Sequence, residues 1–230
     1  MEALNFSEEN ILAHADLEIR VVVFGLQESC LQVLLCASED ASFVDQWTLP
    51  AGILRKYVSL EASAAECIVA LTKPNEVYLE QLYTYGDPER HPARRLISVV
   101  YFALIPSNSM DGELTNKEKT KWYAVENLPA MTMDHNEILA YALRRLRYKL
   151  EYTAIGFELL PETFTLSELQ DTYELILSEK LDKRNFRRRI LEAEIIEATA
   201  FRRIGEGRPA QLYRYRPDAV AEVKARRLFP

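Results

Sequence analysis

A chain of 230 residues, 48% apolar and 27% charged, can bury a core without disulfides or metals and does not belong to the disordered class. It holds no apolar run near the ~18 residues of a membrane span, and its start, MEALNFSEENILAHAD, lacks the basic-then-apolar order of a secretory leader. The net charge of −7 is uneven: residues 1–143 carry 10 Lys and Arg against 21 Asp and Glu, residues 144–230 carry 18 against 14, and 180–216 carry 11 against 5. That asymmetry directs any polyanion to the second part, although charge alone fits a solvated basic face equally well.

In chain order, 17–25 (LEIRVVVFG) and 30–37 (CLQVLLCA) are rich in Val, Leu and Ile across a short polar link, which predicts a hairpin of two buried strands. The three cysteines (Cys30, Cys36, Cys67) form no CxxC and fit reduced thiols in a cytoplasmic protein. Residues 59–73 (SLEASAAECIVALTK) predict a helix with Ser59 as N-cap and Pro74 beyond its end. Two further strands are expected at 76–85 and 95–105, joined by the polar loop GDPERHPAR. Residues 134–152 open DHNE and place Ile138, Leu139, Ala142, Leu143, Leu146 and Leu150 along one side of a long amphipathic helix, with Asp134 as its cap. Residues 1–152 therefore predict an α+β domain: a mixed sheet with one helix in its middle and one at its end.

A smaller pattern occupies 153–230. FTLSEL is a capping box, with Thr165 as N-cap, Glu168 reaching back and Phe164 stapling onto Leu169. This helix runs to about Leu177, and the turn SEKL leads to DKRNFRRRILE, capped by Asp182. EIIEATAFRRIGEGRPAQLYRYR then predicts a hairpin with Gly205, Glu206 and Gly207 at its tip. Helix, turn, helix and hairpin is the order of a winged helix-turn-helix.

The chemistry concentrates on the second of these helices. At about 100° per residue, Phe186 and Ile190 lie about 40° apart and anchor it, whereas Arg184 and Arg188 project about 160° from Phe186, with Asn185 and Arg187 on the flanks. Arg reads guanine and Asn adenine in the major groove, and Lys183, with Arg208 at the hairpin tip, suits phosphates.

Around the central helix the sequence resembles a Nudix domain, whose box is Gly, five residues, Glu, seven residues, then Arg-Glu-aliphatic-x-Glu-Glu-x-Gly. Trp47-Thr48-Leu49-Pro50-Ala51-Gly52 matches the approach to that box, with Ala51 in place of a glycine. Counting from Gly52 puts Val58 at the first Glu and Glu66 at the Arg. Cys67, Ala70 and Leu71 occupy the three metal-binding Glu positions, and Lys73 the closing glycine. The acids on this helix, Glu61 and Glu66, stand about 140° apart and cannot share an ion. Neither a metal nor another cofactor is expected, since Gly205-Glu206-Gly207 opens no helix.

With YLEQLYTYGDPERHPARRLISVVYFALIP (78–106) and the 164–215 segments, the chain resembles the Nudix-related transcriptional regulators of the NrtR family over nearly its whole length. The resemblance implies a Nudix-like α/β/α sandwich followed by a winged helix. It also implies a bacterial repressor of NAD biosynthesis genes that binds double-stranded operator DNA and answers to ADP-ribose or, in related sensors, to sugars. Arg90-His91-Pro92-Ala93-Arg94-Arg95 departs from the family's R-D-P-R-G-R. Arg55, Arg90 and Arg95 are the candidates to pair a ligand diphosphate, with surface solvation as the equal alternative. The reading is then a cytoplasmic homodimer with no membrane contact and a catalytically inactive sensor. Its rivals are a nucleoside diphosphate hydrolase and a protein-interaction module built on the same shell.

Overall fold

Period-two alternation along the central strands sets the layers of the first part of the chain. The computed structural model describes residues 14–27, 29–74, 77–110, 114–204 and 209–219. The elements up to 152 are β1 (Asp16–Gln27), β2 (Cys30–Ala37), β3 (Trp47–Thr48), β4 (Ala51–Gly52), α1 (Leu60–Thr72), β5 (Tyr78–Tyr85), β6 (Leu96–Leu104), α2 (Ser107–Met110), β7 (Thr120–Ala124) and α3 (His135–Tyr152). The sheet runs β3-β2-β1-β6-β5, with β4 on β1 and β7 on β2. β1 pairs antiparallel with β2 and parallel with β6, from Asp16 beside Leu96 to Phe24 beside Leu104.

Alternate residues of the two central strands go to opposite cores. Ile19, Val21, Val23, Val99, Tyr101 and Ala103 meet Ala64 and Ile68 of α1, whereas Val22, Phe24, Val100, Phe102 and Leu104 meet Ile138, Ala142, Leu146 and Leu150 of α3. The result is the expected α/β/α sandwich. α1 begins as read from sequence: the Ser59 hydroxyl accepts from the Ala62 amide at 3.1 Å. It ends at Lys73, which takes φ 48° and ψ 49° at the C-cap.

Two features depart from the sequence reading, and a third lies outside the described residues. β3, β4 and β7 went unread, because two-residue strands carry no period and TKWYA alternates only weakly. Asp134 makes no side-chain cap on α3; its carboxylate instead takes the Arg90 guanidinium at 2.7 and 3.0 Å. The glycine tip at 205–207, and Arg208 with it, lie outside the described residues.

From 153 on, a 3-10 turn (Ile155–Leu159) leads to α4 (Leu166–Leu177), α5 (Lys183–Glu192) and a hairpin of β8 (Ile196–Arg203) and β9 (Ala210–Tyr215). Both halves of the capping box at Thr165 and Glu168 are made, at 3.2 and 2.8 Å. The Glu174 carboxylate builds the inter-helix turn, accepting from Gln170 (2.8 Å), Lys180 (2.6 Å) and the Leu181 amide (3.1 Å). Paired backbone bonds of 2.9 and 2.8 Å between Phe164 and Tyr213 dock the hairpin. The 3-10 turn needs its glycine, because a Cβ on Gly156 would sit 2.7 Å from the buried Tyr173 ring.

One buried cluster runs from Leu146 and Leu150 of α3 through Phe157 and Phe164 to Tyr173, Phe186 and Ile190, so the second part shares a core with the first. Phe186 meets Tyr173 edge-on, with centroids 5.6 Å apart. Truncating this ring leaves a cavity between two helices that have few other ways to close it. Phe186→Ala is expected to lose about 3–5 kcal/mol of stability, measured by urea unfolding. A loss below about 1 kcal/mol would show that the ring does not hold α5 in place.

Candidate functional site

The first candidate site is a cleft of about 640 Å³ over the end of the sheet. Its floor is Arg20 of β1, Cys36 at the end of β2 and Thr48 of β3; α1 closes one wall with Ser63, Glu66, Cys67, Ala70 and Leu71. Phe43, His91 and Arg94 form the opposite rim, with Arg55 and Lys119 at the mouth. The three positions where a Nudix box carries its metal-binding glutamates therefore line this cleft.

Mg²⁺ with phosphates requires one or two carboxylates converging from one side. Here those positions present a thiol, a methyl and an isobutyl group. Burial pushes the Cys67 thiol up to about 12, so it is protonated at neutral pH and offers no anion. The Glu66 carboxylate is turned to Arg55 at 2.9 Å. Among the described residues no group of three or more His, Cys, Asp or Glu converges to hold a metal. These residues do not fit the Mg²⁺ that the Nudix resemblance implies.

What the cleft offers is cationic. Each cation already has an acidic partner: Arg20 with Glu18 at 2.7 Å, Arg55 with Glu66, Arg94 with Asp16 and Asp40 at 3.5 Å, and Lys119 with Glu39 at 2.8 Å. The Asp40 carboxyl is held down to about 2, first by the Ser42 amide and then by His91. Nε2 of His91 donates to the Asp40 carboxylate at 3.1 Å, its Nδ1 accepts from the Ala93 amide, and Phe43 meets the ring edge-on. Apolar groups of Phe43, Ile53, Ala70 and Leu71 alternate with these cations, a lining that suits a ligand with both ring and anion.

The expectation that Arg55, Arg90 and Arg95 meet around one ligand is corrected. Arg55 lines the cleft; Arg90 and Arg95 do not. The Arg90 side chain is 2% exposed, bound to Asp134 and to the Ser98 hydroxyl, so it is neither in the cleft nor on the surface. Nη1 of Arg95 is buried without a hydrogen-bond partner. Sequence reasoning missed Arg20, whose signal was a lone arginine within the apolar strand LEIRVVVFG.

His135 was missed as well. Its Nδ1 accepts from the Leu49 amide at 3.2 Å and stands 3.0–3.1 Å from the Thr132 and Thr48 hydroxyls, two residues of the cleft. With Nδ1 an acceptor, Nε2 carries the proton, and it is buried without a partner. Burial, then the nearby Arg20 and Arg90 charges, push the His135 pKa well below the ordinary value.

The second candidate site is the outer face of α5. Phe186 and Ile190 are buried, while Lys183, Arg184 and Arg188 are exposed. Lys183 and Arg184 have no side-chain partner among the described residues. Nη2 of Arg188 donates to the Asn185 amide oxygen one turn back at 2.9 Å. Arg187 is half-buried and donates to the Ser167 hydroxyl at 3.1 Å. The structure thus exposes Arg184 and Arg188 on the side opposite Phe186, ties Asn185 to Arg188, leaves Lys183 exposed in the first turn and turns Arg187 toward α4. It adds Arg203 of β8, paired with Glu168 at the start of α4, a contact between distant segments that no local pattern reveals.

The model of the NrtR DNA-binding winged helix domain matches residues 156–215. The chain is 34% identical over 201 residues to the ADPR responsive transcriptional repressor NtrR of Acinetobacter baylyi, covering 86% of this chain and 80% of that one. Shewanella oneidensis NrtR complexed with a 27mer DNA matches with a TM-score of 0.80 and 29% identity, over 92% of this chain and 96% of its own. A MutT/nudix family protein from Enterococcus faecalis has a TM-score of 0.74 at 19% identity, over 91% of each chain, a likeness of fold.

The His135 environment has a consequence for stability. Because its folded pKa is depressed, the unfolded chain binds a proton below about pH 6.5 that the folded chain refuses. Stability therefore falls as pH drops below about 6.5, by up to about 1.4 kcal/mol per pH unit from this one group. Urea midpoints between pH 7.5 and 5 are expected to fall less steeply in His135→Gln than in the native chain. Equal slopes would mean that His135 takes up its proton without cost.

Proposed function

Because this chain belongs to the NrtR family of Nudix-related transcriptional regulators, we propose that it is a repressor. In this reading the winged helix binds double-stranded operator DNA and a ligand in the cleft controls it. The Acinetobacter relative is named for its response to ADP-ribose, and a cleft that alternates cations with apolar groups suits that class of nucleotide better than an uncharged sugar. The observation that carries the DNA half is the α5 face, where Arg184 and Arg188 are exposed opposite the buried Phe186 and Ile190.

We divide the roles at 152/153, with residues 1–152 as sensor and 153–230 as reader. Two readers on a two-fold operator require a homodimer, and the acidic first part is the side that would face away from DNA. We assign no catalysis to the cleft, since Cys67, Ala70 and Leu71 supply none of the carboxylates that phosphate hydrolysis with Mg²⁺ needs. Control of NAD biosynthesis genes from the cytoplasm is the setting that fits this reading, and no helix among the described residues is long and apolar enough to cross a membrane.

Fluorescence anisotropy of operator DNA, with and without ADP-ribose, tests both halves. ADP-ribose is expected to raise the melting point of the chain and to release the DNA; release by a pentose or sugar phosphate instead would move the effector class. Arg184→Ala and Arg188→Ala are each expected to cost about 1–3 kcal/mol on operator DNA and to relax preference at one position per half-site. Lys183→Ala should weaken all sequences alike and lower the salt slope by about one. Unchanged operator affinity in both arginine variants would show that α5 is not the reader.

Hydrolysis is a separate test. Incubation with ADP-ribose and Mg²⁺ or Mn²⁺ at micromolar protein is expected to release no AMP above background. AMP release that EDTA abolishes would restore the enzyme reading.

A further inference from the structure

We propose that the cavity at the junction of the two parts is a second ligand site, one that takes a flat aromatic cation of the N-alkylpyridinium class. The proposal goes beyond the DNA-binding reading and does not depend on it. The cavity holds about 720 Å³, a volume that suits a small organic molecule. It shares no lining residue with the cleft. Tyr78 of β5 and Asn108 and Ser109 of α2 line it from the first part. The segment after α3 contributes Phe157, Glu158 and Glu162, and the hairpin contributes Glu197, Arg214 and Tyr215. A molecule held here therefore touches both parts at once.

The apolar lining calls for a ring. Phe157 packs against Phe164 and Tyr215, with centroids 5.4 and 4.9 Å away. Phe157 and Phe164 are buried, so this aromatic surface is fixed before any ligand arrives. A flat ring can stack on it in an offset or edge-on arrangement.

The polar lining calls for positive charge. Glu158, Glu162 and Glu197 stand exposed beside the aromatic surface. Arg214 is the one cation among the described lining residues, and it is already paired with Glu197. Burial comes first in pushing up the Tyr78 and Tyr215 hydroxyls, and the Glu158 charge adds to both, so the negative field reaches rings from both parts. A cation against aromatic faces gains from the ring quadrupoles as well as from the carboxylates. An anion of the kind that suits the cleft is repelled here. The Ser109 hydroxyl oxygen is buried without a hydrogen-bond partner among the described residues. Such an unmet group on the cavity wall suits a polar substituent on the ring.

Calorimetric titration of the full-length chain with 1-methylquinolinium, a flat ring of fixed charge, tests the site. A Kd on the order of 0.1 mM is expected, about tenfold tighter than for quinoline, which keeps the rings and is uncharged at neutral pH. Spermidine, which has charge without a ring, is expected not to compete. Asn108→Trp fills the cavity from an exposed position and should abolish binding. The double variant Glu158→Gln, Glu162→Gln should weaken it about tenfold. Native melting points in both variants separate loss of the site from loss of the fold. If the double variant melts early, Asn108→Trp alone decides. No binding of 1-methylquinolinium, or equal affinity for quinoline, overturns the proposal. Displacement by spermidine reduces the site to an acidic surface and overturns it as well. Native affinity in Asn108→Trp puts the ring elsewhere and overturns it too.

Discussion

A partly buried chain of charges, centred on the buried Arg90 and Ser98, joins the cleft to the start of α3, and the first part of the molecule is arranged around it. Arg20, in the cleft floor, pairs with Glu18; the Ser98 hydroxyl bridges Glu18 to Arg90; and Arg90 grips Asp134 at the mouth of α3. Burying these groups costs several kcal/mol each, and removing any one partner leaves an uncompensated charge inside the protein. The chain also fixes register. Glu18 and Ser98 are direct partners in the parallel β1–β6 ladder. A one-residue slip would therefore break the charge chain and send every core side chain to the wrong face.

Through α3 this constraint reaches the second part. The helix runs 18 residues from His135, about 27 Å at 1.5 Å per residue. Near its far end Arg147 donates to the Ile176 carbonyl at 2.7 Å and to the Ser178 hydroxyl at 2.9 Å, closing the C-terminus of α4. A cation suits that negative helix end. One stiff rod is thus held at its start by groups that reach the cleft and at its end by the helix that precedes α5.

Elements with a local signature were legible in the sequence. Strand alternation, the Ser59 cap, the Thr165/Glu168 capping box and the Phe186/Ile190 stripe each arise within about four residues, so a period or a cap reveals them. Features that depend on long-range pairing were not. Asp134 reads as an N-cap because Asp-x-x-Glu is a local motif, but the carboxylate has a stronger partner 44 residues away in Arg90. The same pairing takes Arg90 out of the set of ligand arginines. Arg20 stands 28 residues from Thr48, and Arg203 stands 35 from Glu168. No spacing rule links such positions. The element pattern carried the two-part order and the resemblance carried the family, whereas side-chain placement within the cleft had to come from the structure.

The cleft's composition bears on how a sensor differs from an enzyme. A binding site that hydrolysed its ligand would erase the signal at the rate of turnover, so the sensor role proposed for the cleft asks for binding without turnover. The ligand must still bind two states of the protein unequally, since a ligand with equal affinity for both shifts nothing. Here an incoming anion meets guanidinium groups already engaged: to take Arg20 it must compete with Glu18, and to take Arg55 it must compete with Glu66. The Arg55–Glu66 pair is half-exposed and costs little to break. The Arg20–Glu18 pair is largely shielded and continues to Asp134, so loosening it is felt at the root of α3. Among the cations of the cleft, Arg20 is the one whose bond leads through Glu18, Ser98 and Arg90 to Asp134, so a change of its partner is felt at the start of α3.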